Sequence, residues 1–148
     1  MTLFRPSLPV WVAIMASLAL FIASCGMPAL EFKDREPVMG YVALCWGWWG
    51  LLTGDFPWFA NPLYFIAIFI ALLGHRKSSQ ILCILAFATG LLSLRVRGWW
   101  FDESKVTPVE KLGTAFYYWM ASFLVFALLL FFVLKQRSRE VLLRESAT

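Results

Sequence analysis

Residues Leu112–Leu134 (LGTAFYYWMASFLVFALLLFFVL) run for 23 positions without a charge. As a helix rising ~1.5 Å per residue, such a run crosses a ~30 Å hydrocarbon core with slight tilt. The rest of the chain offers it no polar covering. Hydrophobic residues make up 61% of the 148 positions and charged ones 15%, against about 45–50% and ~25% in a soluble domain. A chain this short buries too small a share of its surface to hide the excess inside itself, so the solvent for that excess is lipid. The sequence therefore predicts an all-α integral membrane protein, one transmembrane domain over residues 1–148.

Three further spans are predicted. Pro9–Met27 is uncharged, follows Arg5, and stops where Pro28 and the charged loop Glu31–Glu36 begin. Trp58–Gly74 opens on Asn61-Pro62, read as a helix N-cap followed by proline at the first helical position. Gln80–Val96 is short and borrows Val96 to cross, with Arg95 and Arg97 snorkelling from its end. Between the first two lies Val38–Gly54, which is shorter, carries Gly40, Gly47, Gly50 and Gly54, and holds Trp46, Trp48 and Trp49. Tryptophan favours the headgroup boundary, so this segment is read as one interfacial or re-entrant helix. The tail Lys135–Thr148 is expected to continue the last helix beyond the membrane.

With the N-terminus, the His75-Arg76-Lys77 loop and the tail cytoplasmic, seven lysines and arginines fall inside and six outside. A five-span alternative, in which Val38–Gly54 crosses, places eight inside and five outside, and charge counting alone does not decide between them. Four spans are preferred because they gather six of the eight tryptophans at one membrane face. Asp55, Trp58, Asn61, Arg95, Arg97, Trp99 and Trp100 then converge there as a candidate interaction surface, rich in the residue types of interface hot spots. An aromatic belt with snorkelled arginines accounts for the same pattern without any partner.

Ile22-Ala23-Ser24-Cys25 follows a basic residue and an apolar run, which resembles the lipobox of bacterial lipoprotein precursors and makes Cys25 a candidate lipidation site. The opposing reading is an uncleaved first span ending at the same cysteine. Cys25 and Cys45 share a face, where an oxidising compartment would permit a bridge, while Cys83 lies near the cytoplasmic end of its span. Three cysteines without a CxxC or a histidine neighbour do not make a metal site. His75 sits in a basic loop, and no HExxH, GxSxG or P-loop occurs. For an enzyme only Asp55, Asp102 and His75 are obvious groups, with His75 on the face opposite the aspartates. The spans hold no ionisable residue away from their ends, which speaks against a proton-coupled carrier. Basic residues are scattered at segment ends, so nucleic-acid binding is not expected.

Pro28-Ala29-Leu30-Glu31 after the first span, Trp58-Phe59-Ala60-Asn61-Pro62 opening the next, and Tyr117-Tyr118-x-x-x-Ser122 in the last resemble motifs of small multi-pass proteins of bacterial genomes. The resemblance implies a bacterial cytoplasmic-membrane location and no particular activity. Missing catalytic and ion-coupling groups, beside an aromatic, charged outer face, suggest a non-enzymatic protein without cofactor or metal. Its expected contacts are membrane lipid and a membrane-protein partner, or a second copy of itself. It would act as an accessory subunit or as an immunity protein against a membrane-active toxin. The alternative is an oligomeric channel or small-solute transporter.

Overall fold

The structure, a computed structural model, describes residues 7–54, 56–101 and 105–145, the side chains of 51, 53 and 136–145 excepted. The protein is mostly helical, and three of its helices are long and apolar enough to cross a membrane. Helix α1 spans Leu8–Cys25, with Pro9 in its first turn, where a missing N–H costs nothing. Helix α4 (Ala60–Leu72) follows a 3-10 turn at Pro57–Phe59. Helix α5 (Arg76–Gly90) tightens into a 3-10 stretch over Leu91–Arg95. Helix α6 runs over Thr114–Glu145 and takes the tail with it. The three long spans are Leu8–Cys25, Arg76–Arg95 and Thr114–Lys135, and the apolar stretch Pro57–Leu72 is shorter.

The four helices pack as a bundle, α1 along α6 and α4 along α5, with α5 also against α6. Lipid offers apolar side chains as good a home as a protein core does, so close packing and interhelical hydrogen bonds must hold such a bundle together. The sequence supplies small residues at helical spacing for this. Ser79, Cys83, Ala86 and Gly90 form the buried stripe of α5, and Ala60, Ala67 and Ala71 flank the fully buried Tyr64 on α4. Tyr64, Phe123, Phe126 and Leu130 fill the centre. Hydroxyls bridge the helices: Ser17 Oγ lies 2.8 Å from the Tyr64 hydroxyl, and Ser79 Oγ donates to the Ala67 carbonyl at 2.6 Å. The Cys83 thiol donates to the Phe123 carbonyl at 3.1 Å. Outward, Val12, Met15, Ile66, Phe69, Ile84, Leu124 and Phe132 are exposed, a continuous apolar mantle that a water-soluble monomer does not carry.

All four helix ends near residues 25, 60, 95 and 114 meet at one end of the bundle. There the chain builds a cap that the sequence reading did not foresee. Strand β1 (Pro28–Glu31) pairs antiparallel with β2 (Val38–Met39) on one side, and on the other with the two-residue strand Lys111–Leu112. Numbered in chain order, that last strand is β5, and β3 (Gly98–Trp100) and β4 (Val106–Pro108) form a separate hairpin. Leu30, Phe32 and Val38 make a small second core, with Trp99 and Leu112 packed on it. Glu31 and Lys111 pair across β1 and β5 at 3.0 Å.

Segment 38–54 packs at this end, and it is not the single helix expected. It is a broken path: β2, then α2 (Gly40–Trp46), a 3-10 turn at Gly47–Trp49, and α3 (Gly50–Thr53). Its glycines serve separate purposes. Gly47 lies against the Trp58 ring, where a Cβ would stand 2.7 Å from Cδ1, and Gly54 ends α3 at φ +83°. At the opposite end the His75-Arg76-Lys77 loop is tighter than expected. Gly74, at φ +90°, turns the chain, and α5 begins at Arg76. Arg76 is buried and its Nη2 donates to Ser7 Oγ at 3.0 Å, while His75 is exposed.

Candidate functional site

The end of the bundle and its cap enclose a cavity of about 810 Å³, within the ~300–1,000 Å³ of pockets that bury most of a small ligand. Helices α1, α4 and α6 form its floor through Phe21, Asn61 and Trp119, and the α2–α3 segment and β3 supply the other walls. Six of the eight tryptophans line it: Trp46, Trp49, Trp58, Trp99, Trp100 and Trp119. Among the described residues, no lysine, arginine, histidine, aspartate or glutamate lines it.

A chain of hydrogen bonds ties this floor to the wall above it. The Trp119 indole on α6 donates to Asn61 Oδ1 on α4 at 2.8 Å. Asn61 Nδ2 donates to the Trp58 carbonyl at 3.0 Å, and the Trp58 indole donates to the Leu44 carbonyl on α2 at 2.7 Å. Asn61 is buried at 6% exposure, and both ends of its amide are used, as a buried amide requires. It is the second residue of α4 and reaches back to Trp58; it does not cap the helix as expected, because the 3-10 turn at Pro57–Phe59 already starts the helical path.

Of the residues singled out by sequence, Trp58, Asn61, Trp99 and Trp100 meet at this cavity. Arg95 and Arg97 are exposed and flank Val96, which lines it. Asp55 lies outside the described residues, as does Asp102. Sequence reasoning missed Trp119, which sits inside a long apolar run where a buried indole looks like any other core residue. It also missed Arg35, whose guanidinium lies 4.9 Å over the ring of Phe101, another lining residue. The order of the walls follows from close approaches. Gly40 packs its backbone on the Ser24 carbonyl and Gly113 on the Pro28 carbonyl, sites that admit no Cβ. Outside the membrane-spanning helices, Glu31 beside Lys111 holds the lysine ammonium above its ordinary pKa, by hydrogen bond first and by charge second.

Cys25 ends α1, is half-buried and lines the cavity; Cys25, Cys45 and Cys83 are all free thiols. Helix α1 supplies Val10, Ala13, Ile14 and Phe21 to the core. Among the described residues no three His, Cys, Asp or Glu side chains gather as metal ligands. His75 lies at the far end of the bundle, against a smaller recess formed with Arg76, Lys77 and Leu134. Compared with protein-family models, curated proteins and solved structures, the chain finds no match.

Proposed function

We propose that the chain is a non-enzymatic protein of the bacterial cytoplasmic membrane that crosses the bilayer four times and binds another membrane protein through its capped end. The supporting observation is the α2–α3 segment. Tyr41, Trp46, Trp48, Trp49 and Leu52 are exposed on it, yet the segment is clamped to the bundle through Trp58 and Leu44. Aromatic side chains on a fixed scaffold bind with little ordering cost, and tryptophan is enriched in hot spots. In this reading α4 with its preceding turn is the fourth crossing, Arg76 and Lys77 face the cytoplasm, and the cap faces out. Accessory subunit and immunity protein are the two roles such a surface fits.

A photo-crosslinking side chain at Trp48, introduced into the full chain in native membranes, tests this. A discrete protein adduct that a probe at the mantle residue Phe69 does not yield supports the proposal. Labelling of lipid alone at both positions overturns it. A channel is the weaker reading, because Tyr64, Phe123, Phe126 and Leu130 fill the centre of one copy, so a pore would have to run between copies.

A further inference from the structure

We propose that the cavity under the cap holds one hydrocarbon chain of an anionic phospholipid, drawn in from the surrounding bilayer. The inference rests on the bundle's place in a membrane; it shares Trp46, Trp49 and Leu52 with the partner surface proposed above but does not require that partner. Three observations carry it. The cavity has the volume of a ligand site, about 810 Å³, and among the described residues its lining holds no charged side chain. The polar side chains of its floor are already committed. Asn61 is used at both ends of its amide, Ser24 Oγ donates to the Phe21 carbonyl at 2.6 Å, and the Trp58 and Trp119 indoles have their acceptors. A polar ligand entering there would give up its water and find few partners; a hydrocarbon chain loses nothing.

The rim differs from the floor. Trp46, Trp49, Leu52, Trp100 and Phe101 line the cavity and are exposed, so the opening is made of residues suited to the headgroup boundary. Cations stand beside it. Arg35 is held over the Phe101 ring, and exposed Arg95 and Arg97 sit on either side of lining Val96. Of the described acids of the same cap, Asp34, Glu36 and Glu110 are exposed, Glu31 is half-buried and paired with Lys111, and none lines the cavity. An apolar interior with guanidinium groups at its edge matches a molecule with a hydrocarbon tail and an anionic head. In a bilayer the phospholipid is the abundant species of that kind. Its second chain would stay in the membrane.

The six lining tryptophans give the test its signal. The full chain is reconstituted into neutral phosphatidylcholine vesicles containing a small, increasing fraction of phosphatidylglycerol brominated on its chains, a contact quencher of indole. Saturable quenching, reached at a mole fraction several-fold below that needed with brominated phosphatidylcholine, is the expected result. Arg95→Gln with Arg97→Gln, both exposed and outside the core, should raise the half-saturating fraction by about fivefold per charge removed, as expected for a basic side chain near an anionic headgroup. Ser93→Phe, which pushes a ring into the cavity from the 3-10 stretch after α5, should abolish the saturable phase while leaving the thermal transition in place. If Ser93→Phe fails to fold, the two-arginine variant decides alone. Equal quenching by the two brominated phospholipids at the same fraction overturns the proposal, since it means boundary contact only. Saturable quenching by a free brominated long-chain carboxylate, without any by the phospholipid, overturns the choice of ligand.

Discussion

The link from Trp119 through Asn61 to Trp58 is a polar contact chain shared by bundle and cap, and its strength can be measured. Asn61→Leu keeps the branching of the side chain but leaves the Trp119 indole N–H, 2.8 Å from the lost oxygen, without an acceptor. Stranding a buried donor costs about 1–3 kcal/mol. Trp119→Phe removes the donor and leaves the asparagine oxygen unmatched, at a similar cost plus the lost ring area. Once both partners are gone neither group is stranded, so the double variant should be more stable than the sum of the singles predicts. Interhelical hydrogen bonds in membrane bundles couple by ~0.6 kcal/mol on average and ~1.7 at most. Between those values, a coupling of about 1 kcal/mol is expected here. SDS-titrated unfolding in mixed micelles, followed by fluorescence, measures the four variants of the cycle. For a chain of about this length 1 kcal/mol corresponds to ~2–4 °C in melting temperature, which a thermal scan resolves. Additivity of the two changes within ~0.3 kcal/mol would refute the role given to Asn61.

Gly113→Ala places a methyl group on the Pro28 carbonyl and should lower the melting temperature by several degrees, at the ~1–3 kcal/mol typical of overpacking; an unchanged transition would remove the β1–β5 contact as a constraint. Tyr64→Phe deletes only the hydroxyl 2.8 Å from Ser17 Oγ, and since Ser17 still donates to the Ile14 carbonyl at 3.1 Å, the expected cost in denaturant titration is below ~1.7 kcal/mol. If α1 is the uncleaved first span, intact mass spectrometry of the membrane-purified chain should give the unprocessed mass for both wild type and Cys25→Ser, with no acyl increment; a mass beginning at Cys25 would refute that reading and show that the bundle forms without α1. Single cysteines at 34 and 105 should be labelled by an impermeant maleimide from outside the cell, and one at 77 only after permeabilisation; labelling of all three from one side would refute the four-crossing arrangement.

The helices were legible because a charge-free run of about twenty residues has few destinations, and α1 and the crossing part of α6 fall within two residues of where composition puts them. The cap was not legible, for a physical reason. Pro28–Glu31 becomes the central strand of its sheet because Val38–Met39 pair with it on one side and Lys111 and Leu112, eighty residues on, on the other. A four-residue strand carries no periodicity of its own, and Leu112 had been absorbed into the apolar run that follows it. The start of α5 was displaced for a similar reason: Arg76 and Lys77 look like a loop, because cations at a helix N-terminus oppose its dipole. Here the bond from Arg76 to Ser7 offsets that cost. Clustering of tryptophan was readable from sequence, but its form was not. A belt would spread the indoles around the perimeter, whereas six of them turn toward one cavity.

The cavity itself follows from unequal helix lengths. Helices α1 and α5 with its 3-10 extension span 18 and 20 residues, or about 27 and 30 Å at ~1.5 Å per residue, while the whole apolar stretch Pro57–Leu72 is shorter and begins with a 3-10 turn. At the other end the tight turn at Gly74 aligns α4 with the start of α5, so the shortfall accumulates entirely at the capped end. A bundle in lipid cannot leave that gap open to unpaired backbone, because no water is present to satisfy it. The chain answers with the α2–α3 segment, laid over the top of α4 with Gly47 on the Trp58 ring and the Leu44 carbonyl on its indole. That roof spans the gap without filling it, since three short helical pieces cannot reach down as a full helix would. The lining that results is mostly apolar, and the lipid chain proposed above would occupy the space that the shortening of α4 leaves.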